Sequence, residues 1–91
     1  GIAFLEAMAS KIPIVTINVG GITDIVINEF NGLTSDMNNH KIIQNILRLI
    51  NDNKLRKKLI QNGSQFVKDF DWDNVFKLTQ NMYDQVLKDR I

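Results

Sequence analysis

Glu6 is the carboxylate with the most chemical promise in this chain. It lies in Gly1-Ile2-Ala3-Phe4-Leu5-Glu6-Ala7-Met8-Ala9, which opens on glycine and carries Leu5, Met8 and Ala9 at helical spacing. A helix N-terminus offers unpaired N–H groups and the positive end of the helix dipole, which suits phosphate groups. A glycine just before it lets a ligand approach the backbone closely. A carboxylate about a turn and a half into such a helix can accept two hydrogen bonds from a vicinal diol. The competing reading makes Glu6 an ordinary solvated helix residue.

Other candidates carry less. His40 is the single histidine, the residue type that most readily moves a proton near neutral pH. It sits among polar residues ahead of an amphipathic stretch, and no Ser or Cys is placed to form a triad with it, so a surface position is expected. Lys54, Arg56, Lys57 and Lys58 form a basic run. Leu55 and Leu59 put that run on one side of an amphipathic helix, which reads as a solvated face. Asn62-Gly63-Ser64 fits a glycosylation pattern, but no secretion signal precedes it and a helix break is expected there. Gly20-Gly21 reads as a strand-to-helix turn needing positive φ, near a cleft rather than in direct contact with a ligand.

These residues need elements to hold them. Ile2 to Ser10 reads as a short helix, stopped ahead of Pro13. Ile12 to Ile17 is β-branched and apolar on both faces, as in a parallel strand covered on both sides, with Pro13 near its start. Ile22 to Ile27 has room for one or two helical turns, Asn28 to Gly32 is a turn, and Leu33-Thr34-Ser35 is a stub of strand. Asp36 to Asn39 supplies N-caps for a helix whose apolar stripe is Ile42, Ile43, Ile46, Leu47 and Ile50. After Asn51-Asp52-Asn53, Leu55, Leu59, Phe66, Val67 and Phe70 mark a second helical stretch. Trp72, Val75, Phe76, Thr79, Met82, Tyr83, Val86 and Leu87 mark a third, with Asp71 as its N-cap and Asp73 favourably placed in its first turn.

With 91 residues, 44% hydrophobic and 23% charged, the chain is a small globular piece rather than a disordered one. A net charge of +1 gives no electrostatic footprint for nucleic acid. No apolar run is long enough to span a membrane. The absence of cysteine excludes disulfides and thiolate metal sites. The alternation of helix and strand predicts an α/β layered domain. Two strands cannot bury both faces of a parallel sheet, and the apolar pattern already runs at Ile2, so further strands are expected before Gly1.

Leu5-Glu6-Ala7-Met8-Ala9-Ser10, Pro13-Ile14-Val15, Val19-Gly20-Gly21-Ile22, Asn31-Gly32-Leu33 and Phe70-Asp71-Trp72 occur in an order and at spacings that carry a resemblance. Together they are similar to the C-terminal domain of the retaining glycosyltransferases of GT-B architecture (glycosyltransferase family 4, glycosyl transferases group 1). The resemblance implies the C-terminal part of a Rossmann-like GT-B domain: two short parallel strands, flanking helices and a helical C-terminal half. Residues 1–91 would then be the C-terminal portion of the donor-binding domain, with its N-terminal strands and the acceptor domain missing. It implies a nucleoside-diphosphate sugar as donor substrate, transfer with retention, no cofactor and no protein-bound metal. Glu6 matches the second glutamate of the family's paired-glutamate motif, which holds the ribose of the nucleotide. Gly1, Ile2 and Ala3 would lend backbone to the phosphates. The first glutamate would fall before Gly1, so the 91-residue piece is expected to be inactive alone.

The resemblance further implies a hexosyltransferase in polysaccharide biosynthesis, cytoplasmic or peripheral to the membrane in its full length, whose partner is the remainder of the same enzyme. Two departures are visible. Lys11 stands where the family usually has a glycine ending the helix, and Thr23-Asp24 where it often has Pro-Glu. A GT-B nucleotide-sugar epimerase and a non-enzymatic helical interaction module are the alternatives.

Overall fold

A computed structural model describes residues 2–70 together with 80, 81, 84, 85 and 87. Helix α1 spans Ile2–Ala9, strand β1 Val15–Ile17, a 3₁₀ turn Gly20–Asp24, strand β2 Leu33–Ser35, helix α2 Asn39–Asn51 and helix α3 Asn53–Lys68. The strands pair in parallel, with Val15 opposite Leu33 and Ile17 opposite Ser35. This is the expected α/β arrangement of two short parallel strands among helices.

Helix α1 ends in a left-handed stop. Lys11 has φ 60°, Ile12 N donates to Ala7 O and Lys11 N to Met8 O, which is the Schellman pattern without its usual glycine. Lys11 therefore accepts the strain that a glycine would avoid. The expected strand over Ile12 to Ile17 is shorter than its apolar run. Pro13 has no N–H for a ladder, and pairing is regular only from Val15, although Ile14 O still accepts from Leu33 N. The helical turn expected at Ile22 to Ile27 is a tighter 3₁₀ turn beginning at Gly20, whose φ of 55° redirects the chain there.

Asn38 caps α2, its side chain accepting from His40 N and Lys41 N. Asp52 both ends α2, through its N–H to Arg48 O, and caps α3, accepting from Leu55 N. Helix α3 then runs unbroken through Asn62-Gly63, against the expected break. Gly63 is there for space: a Cβ on it would lie 3.1 Å from Met8 Cγ, so the missing side chain lets α3 close on α1. Asn62 keeps the helix and sends its amide to Phe30 O at 2.8 Å.

Two clusters form the core. Leu5, Met8, Ile14, Val26 and Val67 make one, with Ile2, Phe4, Ile22 and Phe66 among the side chains packed against it. Leu33, Leu49 and Leu59 make the other. Each fully buried aliphatic side chain contributes roughly 1.5–3 kcal/mol of transfer free energy. Ala9, placed on the inner stripe of α1 by its spacing, is exposed. On α2 the expected stripe is only partly used. Leu49 is the buried position and Ile42 is half-buried, whereas Ile43, Ile46, Leu47 and Ile50 are exposed. The sheet and α3 cover one side of an apolar arc wider than they are. Of the third helical stretch, Asp71 to Val86 lies outside the described residues at every position singled out above, and Leu87 is exposed.

Candidate functional site

Helix α1 carries the candidate residues because its two faces are chemically distinct. Leu5 and Met8 point into the core, and Ile2 packs against the same cluster. Ala3 and Glu6, three residues apart and thus on one face, are both exposed. Met8, two residues beyond Glu6, lies roughly 200° round the helix from it. The Glu6 carboxylate has no hydrogen-bond or ion-pair partner among the described residues. Gly1, the fourth candidate, lies outside the described residues.

The stop at Lys11 and the short connection through Pro13 join α1 to β1. The C-terminal end of β1 is the kind of end at which open parallel sheets take ligands. The 3₁₀ turn sits at that end. Gly20, Gly21, Thr23 and Asp24 are exposed, and Ile22 and Ile25 pack against the α1 cluster.

The segment just after the turn is held by a side chain whose role sequence reading missed. Asn31 is 2% exposed. Its Oδ1 accepts from Ile27 N at 2.7 Å, its Nδ2 donates to Ile25 O at 2.9 Å, and the same Nδ2 lies 4.0 Å from Met8 Sδ. Asn-Gly reads as turn punctuation, and the signal for more is only that Asn31 adjoins Gly32. That glycine has no room for a side chain: a Cβ would meet Val26 Cγ1 at 2.7 Å and Ile14 O at 3.2 Å.

A hollow of about 450 Å³ opens at the strand ends beside α2, lined by Asn18, Thr34, Ser35, Asp36, Lys41 and Asn45 among others. A wider, open one of about 840 Å³ lies at the α2–α3 junction, along Leu47, Arg48, Asp52 and Lys54. Neither is lined by Ile2, Ala3 or Glu6, so Ala3 and Glu6 lie on the outer face of α1 and outside both of these hollows.

The charged groups elsewhere are structural or solvated. Arg48 grips Glu29 through two hydrogen bonds of 2.9 Å, and that contact holds the Glu29 carboxyl below its ordinary value. Lys41 pairs with Asp36 at 3.2 Å. His40 is exposed on α2, as expected, with its Nε2 3.2 Å from Gln44 Nε2. Of the basic run, Lys54, Lys57 and Lys58 are exposed as a solvated face requires. Arg56 differs: it donates to Leu49 O at 2.7 Å and to Asn53 Oδ1, closing the end of α2. Among the described residues no group of three or more His, Asp or Glu could hold a metal ion, and no helix is long and apolar enough to cross a membrane.

Residues 1–66 match the family model described as glycosyl transferases group 1. The chain is 37% identical, over 94% of its length, to an uncharacterised glycosyltransferase of Methanocaldococcus jannaschii, of which it covers 25%. It is 33% identical, over 93% of its length, to the capsular polysaccharide biosynthesis glycosyltransferase CapM of Staphylococcus aureus, of which it covers 23%. Among solved structures it is similar to the sucrose-phosphate synthase of Thermosynechococcus elongatus, a GT-B protein, with a TM-score of 0.73 and 28% identity, over 97% of this chain and 23% of that one. The chain thus spans about a quarter of the length of these relatives.

Proposed function

The chain belongs to the glycosyl transferases group 1 family, and on that premise we propose that it is part of the sugar-donor site of an enzyme. That enzyme transfers a hexose from a nucleoside-diphosphate sugar to an acceptor with retention of configuration. The observation that carries this reading is the family match over residues 1–66 together with the exposed, unpartnered Glu6 carboxylate on α1. Glu6 would accept hydrogen bonds from the ribose diol. The backbone of Gly1, Ile2 and Ala3 would lie beside the diphosphate, where peptide dipoles offset the charge that builds on the leaving group. The donor is a substrate, and the reading assigns no cofactor and no metal to these residues.

Glycosyltransferase relatives at 33–37% identity favour transfer over epimerisation and over a purely structural helical module. The CapM relative makes a surface polysaccharide pathway the setting we favour. Because the chain is about a quarter of its relatives' length, turnover is assigned to the longer protein and none to residues 1–91 alone.

Calorimetric titration of the longer protein with UDP, GDP and ADP tests the reading. One of the three is expected to bind, and Glu6→Gln to weaken it about tenfold, the loss of a charge-assisted hydrogen bond. Binding that ignores Glu6→Gln would remove the carboxylate from the site, and no binding at all would overturn the donor assignment. Stereochemical analysis of the product decides retention.

A further inference from the structure

We propose that Asn31 is a positioning residue for the sugar-donor site: buried behind the Gly20–Asp24 turn, it fixes that turn against α1 and so sets affinity for the nucleoside diphosphate. The inference rests on the function proposed above and adds to it a residue that touches no ligand.

Three observations carry it. First, of the turn's own residues only Ile22 packs against the α1 cluster. Gly20, Gly21, Thr23 and Asp24 are exposed, and no residue of the turn is fully buried. Second, the segment just after the turn is held tightly. Val26 is 1% exposed, and the Asn31 amide takes both the Ile25 carbonyl and the Ile27 N–H, bracketing that residue. A side-chain amide out of water that satisfies two backbone groups fixes local geometry more firmly than a surface contact, because breaking either bond strands a polar group.

Third, the same Nδ2 reaches across to Met8 Sδ on α1. Met8 also packs closely against Gly63, where a Cβ would lie 3.1 Å from Met8 Cγ. Met8 is two residues from Glu6 and on the opposite face of the helix. Asn31 thus links the root of the exposed turn to the inner face of the helix whose outer face bears the carboxylate. A change there shifts the turn relative to α1 without touching Glu6.

Asn31→Asp keeps the volume and the acceptor for Ile27 N but removes the amide that donates to Ile25 O. In the longer protein, calorimetry with the nucleoside diphosphate that the wild type binds is expected to show a Kd raised about fivefold at unchanged stoichiometry. Amide hydrogen exchange is expected to quicken across residues 20–26 and not along α3. A merely structural role would lower the stoichiometry, by reducing the folded fraction, and leave Kd alone; that result overturns the inference. Asn62→Ala, which frees Phe30 O on the far side of the same loop, serves as control and is expected to leave Kd unchanged.

If Asn31→Asp does not fold, Met8→Leu carries the test, since it removes the sulfur at nearly constant volume. A rise of about twofold in Kd supports the link and an unchanged Kd overturns it. A wild type that binds none of UDP, GDP and ADP overturns both readings. A wild type that binds, with Kd indifferent to Asn31→Asp, overturns this one and leaves the donor assignment standing.

Discussion

Around Met8 the backbone is placed by polar groups taken out of water, whereas around Leu59 it is placed by aliphatic packing with the polar groups left at the surface. In the first region Asn31 is buried and bonded to two backbone groups, Gly32 allows an approach that a Cβ would block, and Gly63 packs closely on Met8. In the second, Leu33, Leu49 and Leu59 form the cluster, and exposed caps at Asn38 and Asp52 set the helix ends. A polar node gives geometry at the risk of an unsatisfied group, and an aliphatic cluster gives free energy with more tolerance of shape. The helix that bears Glu6 is seated on the first kind of support.

The sharpest way to break this comparison is to remove one side chain from each cluster. Leu5→Ala and Leu59→Ala are each expected to cost about 3 kcal/mol, seen as lower urea midpoints. If the regions form one cooperative unit, each variant unfolds in a single transition; two transitions would show that they are separable. Next in size is Gly32→Ala. Its Cβ would meet Val26 Cγ1 at 2.7 Å, and a loss of about 2 kcal/mol is expected in the same measurement. A neutral result would mean that the polar region is as forgiving as the aliphatic one.

Lys11→Gly runs the other way. It relieves a left-handed residue at φ 60° and is expected to add about 1 kcal/mol, read as a higher thermal midpoint. The smallest effect belongs to the exposed Glu29–Arg48 pair, about 0.3 kcal/mol after solvent screening. The Arg48 hydrogen bond lowers the Glu29 pKa from its ordinary value of 4.5. Its contribution is therefore complete above that value and fades as pH falls through the lowered one. Glu29→Gln should be slightly less stable than the wild type at pH 7, and the difference should close on acidification. A gap that persists at pH 2 would show that the carboxylate's charge is not what matters.

The element order was legible because apolar spacing and punctuation agree along most of the chain. The α1 stop before Pro13, the strand stub at Leu33-Thr34-Ser35 and the capping stretch before α2 all arise from local chemistry. The misreadings share a physical cause. Gly63 looks like a helix break because glycine weakens helices, but here a tertiary contact with Met8 sets its identity. The α2 stripe is apolar along its length yet only partly buried, because periodicity shows which face is apolar and not how much of it is covered. The candidate site was legible only in part. A helical pattern puts Glu6 and Ala3 on a common outer face, while Asn31 is invisible in sequence because its partners, Ile25 O, Ile27 N and Met8 Sδ, are assembled by the fold.

Helices α2 and α3 meet at Asp52 with no connecting loop, and Arg56 reaches back to fasten the joint. Chain length is therefore fixed at this point. One inserted residue would turn α3 by about 100° about its axis, carrying Leu59, Gly63 and Val67 off the core together. The exposed stretch Asp36 to Asn38 ahead of α2 can take up an extra residue as slack. Insertions and deletions among close relatives should gather there and spare the joint.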